Sequence, residues 1–261
     1  MVLKMTSISS QGLCGGNTWE VIDRESLILY LSLAALGRAR HVDKIVGGGT
    51  QLNIPDRSFA AAIKKFDLTK DNEPFHRDGW IFQVISWLAA KQTDPGKFLT
   101  APHIMRADKG LDGLLIELDA AGENVIAAVV FEDKATTSPR NTIHTDVWPE
   151  LQSFEDGDRD DLLTDGISAL LQTSPNLNAE EIVNRVLWEK VLHYRVSITI
   201  GDSHAKPDGY TRLFDGYDEI IPGPDGRRRG EVFYCEDLRR WMSDLASDCV
   251  RKLEEMREGD V

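Results

Sequence analysis

The residues best suited to chemistry are Asp112, which heads the apolar run 113–118, and Glu132-Asp133-Lys134, which ends the apolar run 125–131. Alternate side chains of a strand share a face, so Glu132 and Lys134 project together, behind Ile126, Ala128 and Val130. A turn over residues 120–124 would close the two runs into an antiparallel hairpin that pairs Asp119 with Val125. Continued along the strands, that register sets Asp112 opposite Glu132. Side chains facing each other in this way have Cβ atoms about 5 Å apart, close enough for two carboxylates to grip one cation. Such carboxylates repel unless positive charge lies between them, and hard oxygen ligands suit Mg2+ or Mn2+. The backbone carbonyl of Asp133 offers a third ligand. Lys134 would stand beside the bound water, orienting a nucleophile and neutralising charge that builds on a phosphate. The chemistry expected of this set is metal-assisted phosphodiester hydrolysis.

Asp112 followed by Glu132-Asp133-Lys134 resembles the D…(D/E)xK signature of the PD-(D/E)XK nuclease superfamily, over roughly residues 75–172. The resemblance implies a restriction-endonuclease-like mixed central sheet flanked by helices, and cleavage of DNA with Mg2+ or Mn2+. It also implies a contribution from a helix ahead of the first acidic residue, for which Gln83 in DGWIFQ is the best-placed candidate and Glu73 a second. The proline of the signature is absent, since Gly110-Leu111 precedes Asp112. With the C-terminal stretches RRRGEV and EDLRRWM, the chain is also similar to the nuclease subunit of Hachiman-type anti-phage systems. That similarity implies a helicase partner that restrains the nuclease, and degradation of DNA without sequence preference once it is released.

The elements that must hold these residues are legible in outline. Helices are expected over 26–36, closed by Gly37, over 56–66, and over 78–91, where Ile81, Val84, Ile85 and Leu88 mark an apolar face. After the hairpin come a polar loop, a helix starting near Trp148, a helix over 160–172, and one over 178–193 capped by Asn178. A strand over 194–200 follows, then a loop over 222–230 carrying Arg227, Arg228 and Arg229, a short strand over 231–234, and a terminal helix over 237–256. Residues 1–24 read as loop with a short strand. Gly47-Gly48-Gly49 lacks the GK[ST] ending of a phosphate loop and reads as a connection. The expectation is one α/β domain over 1–261, with a nuclease core at about 75–172, a C-terminal strand-helix elaboration at 178–261 and an N-terminal addition.

Composition sets the outer bounds. With 41% hydrophobic and 28% charged residues the chain should fold rather than stay disordered. Cys14, Cys235 and Cys249 have no CxxC spacing and the six histidines are dispersed, which argues against zinc or a disulfide framework. No apolar run approaches the roughly 18 residues of a membrane helix and the N-terminus lacks an export pattern, so a cytoplasmic location with no membrane partner is expected. A net charge of −13 is unusual for a protein that grips DNA alone; either a local basic strip or a partner protein must supply that grip.

Two other function classes compete. Gly201-Asp202-Ser203 resembles the opening of GDSL-type esterases, which would make Ser203 a nucleophile, but no histidine follows His204 to serve as its base. A catalytically inactive nuclease-like fold could serve only interaction or regulation, with Trp19, Trp148 and Trp241 as contact residues or, alternatively, as core. Arg227 to Arg229 suit phosphate contact and solvation equally.

Overall fold

The computed structural model describes residues 1–42, 54–67, 74–93, 98–102, 110–172, 177–189 and 191–259. Gly47-Gly48-Gly49 and Glu73 lie outside them. The described residues form a mixed α/β structure around a seven-stranded sheet of order β1-β2-β7-β6-β5-β4-β3. The strands are β1 (Leu3–Ser10), β2 (Cys14–Val21), β3 (Phe98–Leu99), β4 (Gly113–Leu118), β5 (Val125–Lys134), β6 (Leu192–Ile200) and β7 (Arg228–Tyr234). β2, β7, β6 and β5 run parallel, while β1 at one end and β4 and β3 at the other pair antiparallel.

Two large apolar cores, and a small third one of Ala90, Leu115, Ala127, Val129 and Phe131, cover the two faces among the described residues. One gathers Leu114, Val130, Val196 and Val232 of the sheet under α4 (Pro139–Thr142), a π turn (Ile143–Val147), α5 (Trp148–Glu155), α6 (Asp160–Leu171), α7 (Ala179–Glu189), α8 (Pro207–Phe214) and α9 (Tyr217–Ile220). On the other face Trp19 and Phe233 pack with α1 (Arg24–Ala35), α2 (Asp56–Phe66), α3 (Pro74–Thr93) and α10 (Leu238–Glu258). β5 is buried on both sides, as a strand covered by helices on both faces must be. Expected ends are realised at Gly37, whose φ of +73° follows α1, and at Asn178, whose Oδ1 accepts from Glu181 N–H.

Several expectations change. Residues 1–24 are mostly a β1–β2 hairpin that turns at Gly12 (φ +75°) rather than loop. β1 is polar and sits at the sheet edge, so its sequence lacks the apolar alternation of a half-buried strand. α3 begins earlier than expected, at Pro74, and α7 ends at Glu189, because Leu192 and His193 pair with Ala128 and Val129 as the start of β6. The arginine loop is partly strand, since β7 starts at Arg228. The segment expected as a C-terminal elaboration thus supplies β6 and β7, which lie between the catalytic-candidate strand and the N-terminal hairpin. Gly16 and Gly230 permit the β2–β7 contact: a Cβ on Gly16 would lie 1.8 Å from the Gly230 carbonyl oxygen. Trp19 and Trp148 are core, and Trp241 is half-buried against Phe233. Among the described residues no helix is long and apolar enough to cross a membrane.

Candidate active site

The site forms where β4 begins and β5 ends. Gly113 pairs with Phe131 and Glu117 with Ala127, the expected register, and one further step sets Asp112 opposite Glu132. Towards the turn the expectation fails. A bulge after Glu117 pairs Leu118 with Val125, and Asp119 N–H donates to the Asn124 carbonyl instead of facing Val125. The bulge absorbs one residue and leaves Ile126 exposed.

Four predicted residues converge at the other end of the hairpin. Glu132 and Lys134 share the face that strand alternation dictates, with Lys134 Nζ 2.6 Å from Glu132 Oε1. The Asp112 carboxylate accepts the Asp133 N–H through Oδ2 at 2.9 Å. Gln83 reaches down from α3, and its Nε2 donates to the Asp112 carbonyl at 2.9 Å and to Asp112 Oδ1 at 3.3 Å. The backbone and an amide side chain thus hold Asp112 from two directions. Glu73 lies outside the described residues.

The electrostatics are those of a buried carboxylate, Glu132, beside a half-buried one, Asp112. Burial raises the Glu132 pKa above the usual carboxylate range, the Asp112 charge raises it further, and Lys134 only partly opposes them. Burial disfavours the Lys134 ammonium, but the carboxylates of Glu132, Asp112 and Asp146 outweigh it and hold its pKa above the ordinary value. Lys134 is therefore a cation at neutral pH.

Asp133 plays a different part from its neighbours. Its side chain lies on the opposite face, accepting a 2.6 Å hydrogen bond from Ser86 Oγ and facing Ser197 and Arg195. Burial raises its pKa to about 6, against the lowering effect of Arg195. Residues in an antiparallel ladder exchange N–H and C=O with the same neighbour, so the Asp133 carbonyl, like its N–H, is directed at the Asp112 edge. As a ligand Asp133 can offer that carbonyl and not its carboxylate. Among the described residues no three His, Cys, Asp or Glu side chains form a metal-binding group; the oxygens on offer at this end of the hairpin are two carboxylates and a carbonyl. All are hard oxygens, and the repulsion that Lys134 leaves between the carboxylates is what a divalent cation would reduce.

Sequence reasoning missed part of the surroundings. The π turn places Asp146 near Lys134, and Glu150 on α5 adds negative field at Glu132. The i, i+4 spacing of these two acids on one helical face was the available signal. Ser86 and Arg195 carried none.

Two of the three arginines of the run are engaged inside the protein. Arg227 pairs with Glu155 at 2.7 Å and donates to the Leu192 and Pro222 carbonyls. Arg228 is buried and donates to four backbone carbonyls, those of Gly12, Leu13, Ile221 and Gly223. Arg229 pairs with Glu117 at 2.7 Å. Buried or part-buried carbonyls and carboxylates claim the first two guanidiniums before any substrate can. At the esterase-like turn, Ser203 Oγ lies 2.8 Å from His204 Nδ1, so a ring nitrogen is within reach of the hydroxyl after all. Both sit on an exposed one-turn helix, and among the described residues nothing orients the other ring nitrogen.

Compared with protein-family models, with curated proteins and with solved structures, the chain has no match.

Proposed function

We propose that this chain is a metal-dependent nuclease of the PD-(D/E)XK kind that hydrolyses phosphodiester bonds of DNA. The observation that carries the reading is the convergence of Gln83, Asp112, Glu132 and Lys134 at one end of the β4–β5 hairpin. Asp112, Glu132 and the Asp133 carbonyl would hold Mg2+ or Mn2+. When bound, the ion supplies Lewis-acid stabilisation of charge gathering on the phosphate. Lys134 adds a fixed positive charge beside the same oxygens. Gln83 is a positioning residue that acts through Asp112, and the Asp133 N–H does the same from the strand. An antiparallel hairpin joined to parallel strands, with α3 ahead of it, supports a restriction-endonuclease-like sheet.

The net charge of −13, and the internal use of Arg227 and Arg228, support delivery to DNA by a protein partner. A helicase in an anti-phage complex of the Hachiman type fits that requirement. Trp188, 83% exposed on α7, offers a contact residue to a second reading, in which the fold serves partner contact without catalysis.

The test is cleavage of linear and plasmid DNA with Mn2+ or Mg2+, by the chain alone and with its co-purifying partner. Glu132→Ala and Lys134→Ala should each abolish cutting while leaving the partner complex intact. Cutting that persists in both variants would refute the site. A stable complex that never cuts under any activating condition would leave the interaction reading.

A further inference from the structure

A second polar site lies on the sheet face turned away from Glu132 and Lys134. Phe131, Arg195, Arg229 and Gly15 are register partners across β5, β6, β7 and β2, so their Cβ positions form one row on one face. Over this row, beside the C-terminal end of α3 and the turn Asp225–Arg227, opens a cleft of about 500 Å³. Its floor is left open by glycine: a Cβ added at Gly15 or Gly226 would meet no atom within 4 Å.

The charged groups of the cleft are not equally committed. Arg195 is lodged against the rings of Phe131 and Trp19, at 4.4 and 5.1 Å, and donates to Ser86. The Glu231 carboxylate receives Asn17 N–H, Asn17 Nδ2 and Trp19 Nε1. Arg228 is spent on carbonyls, as described above. Arg229 gives Nη2 to Glu117, and among the described residues no acceptor meets its Nε or Nη1. Arg229 is thus a lining residue whose guanidinium keeps donors to spare. The lining also includes Asp225 and Glu231, so two carboxylates accompany Arg195 and Arg229.

We propose that this cleft binds a phosphate-bearing small molecule of mononucleotide size, with Arg229 as the phosphate receptor. A guanidinium fork matches phosphate oxygens in pairs, which an ammonium does not. The volume lies within the small-ligand range and is too small for a nucleic-acid duplex. Asn17 and Glu231 line the same wall and supply polar surface to a sugar or base. The proposal does not depend on the nuclease reading, because no residue of the candidate active site lines the cleft.

The experiment is calorimetric titration of the full chain, without divalent metal, using 5′-AMP, adenosine and inorganic phosphate. AMP should bind at least about tenfold more tightly than either of the other two, a difference of about 1.4 kcal/mol. Arg229→Ala should weaken AMP about tenfold or more. That variant also removes the Arg229–Glu117 pair, so Gly15→Val supplies the independent check. It fills the cleft from a strand position that favours β-branching, leaves the Arg229–Glu117 pair alone, and should lose AMP binding with an unchanged thermal midpoint. Glu132→Ala should bind AMP as the parent does. The proposal is overturned if the parent does not bind AMP, or if adenosine or phosphate binds as tightly. Unchanged affinity in Gly15→Val, or loss of AMP binding in Glu132→Ala, would overturn it as well, the last by placing the nucleotide at the hairpin.

Discussion

Arg228→Met separates a structural arginine from a phosphate-binding one. The Arg228 side chain is 2% exposed, and its three nitrogens tie the β1–β2 turn to the segment after α9: Nε donates to Leu13 O, Nη1 to Ile221 O and Gly223 O, and Nη2 to Gly12 O. Methionine keeps the apolar stem but donates nothing. The bonds to Leu13 and Ile221 are buried, and stranding those carbonyls costs about 1–3 kcal/mol each; the Gly12 and Gly223 carbonyls are nearer solvent and recover water. Removing a buried charge returns part of that cost. A net loss of about 3 kcal/mol follows, which at a urea m-value near about 3 kcal/mol/M moves the unfolding midpoint down by about 1 M. Tryptophan fluorescence during urea titration measures it. Arg228→Lys should fall between parent and methionine variant, because one ammonium cannot span carbonyls arriving from different directions. Arg240→Ala, at a side chain 80% exposed, should stay within about 0.5 kcal/mol of the parent and serves as the control. A methionine variant as stable as the parent but weakened in DNA affinity would show that this guanidinium meets phosphate, and the structural reasoning would be wrong.

Two further outcomes follow from the same kind of accounting. Gln83→Glu would turn a carboxylate towards the carbonyl and carboxylate of Asp112, where Nε2 now donates, and should cost about 1–3 kcal/mol in metal-free protein. Thermal scans with and without Mn2+ test it: partial recovery with the ion is expected, and a variant as stable as the parent without metal would mean that Gln83 does not hold Asp112. Burial raises the Glu231 pKa above the carboxylate value despite the nearby Arg195, so the folded chain binds more protons than the unfolded chain between those two values. Stability should therefore fall as pH rises through that window, and Glu231→Gln should flatten this part of the curve. Urea midpoints collected from about pH 4 to about pH 7 would show it, and a parent and variant with the same slope would place the titration elsewhere.

The local part of this protein was written in the sequence. Strand alternation alone put Glu132 and Lys134 on one face, and the register that brings Asp112 opposite Glu132 holds from Gly113 to Glu117, although a bulge at Ile126 and not the expected turn pairing leads into it. These depend on backbone geometry with a period of two residues, which any stretch of the chain carries within itself. The long-range part was not legible. Gly15 lies beside Arg229 through a parallel pairing that no turn announces, so the N-terminal hairpin read as loop and β7 began later than it does. Asp133 resembled its neighbours until Ser86 and Arg195 closed over the other face of β5, and Arg228 read as a surface charge until four carbonyls from two distant segments surrounded it. Side-chain direction follows from the strand itself, whereas the partner a buried polar group finds depends on which remote segments pack against it, and packing decides that.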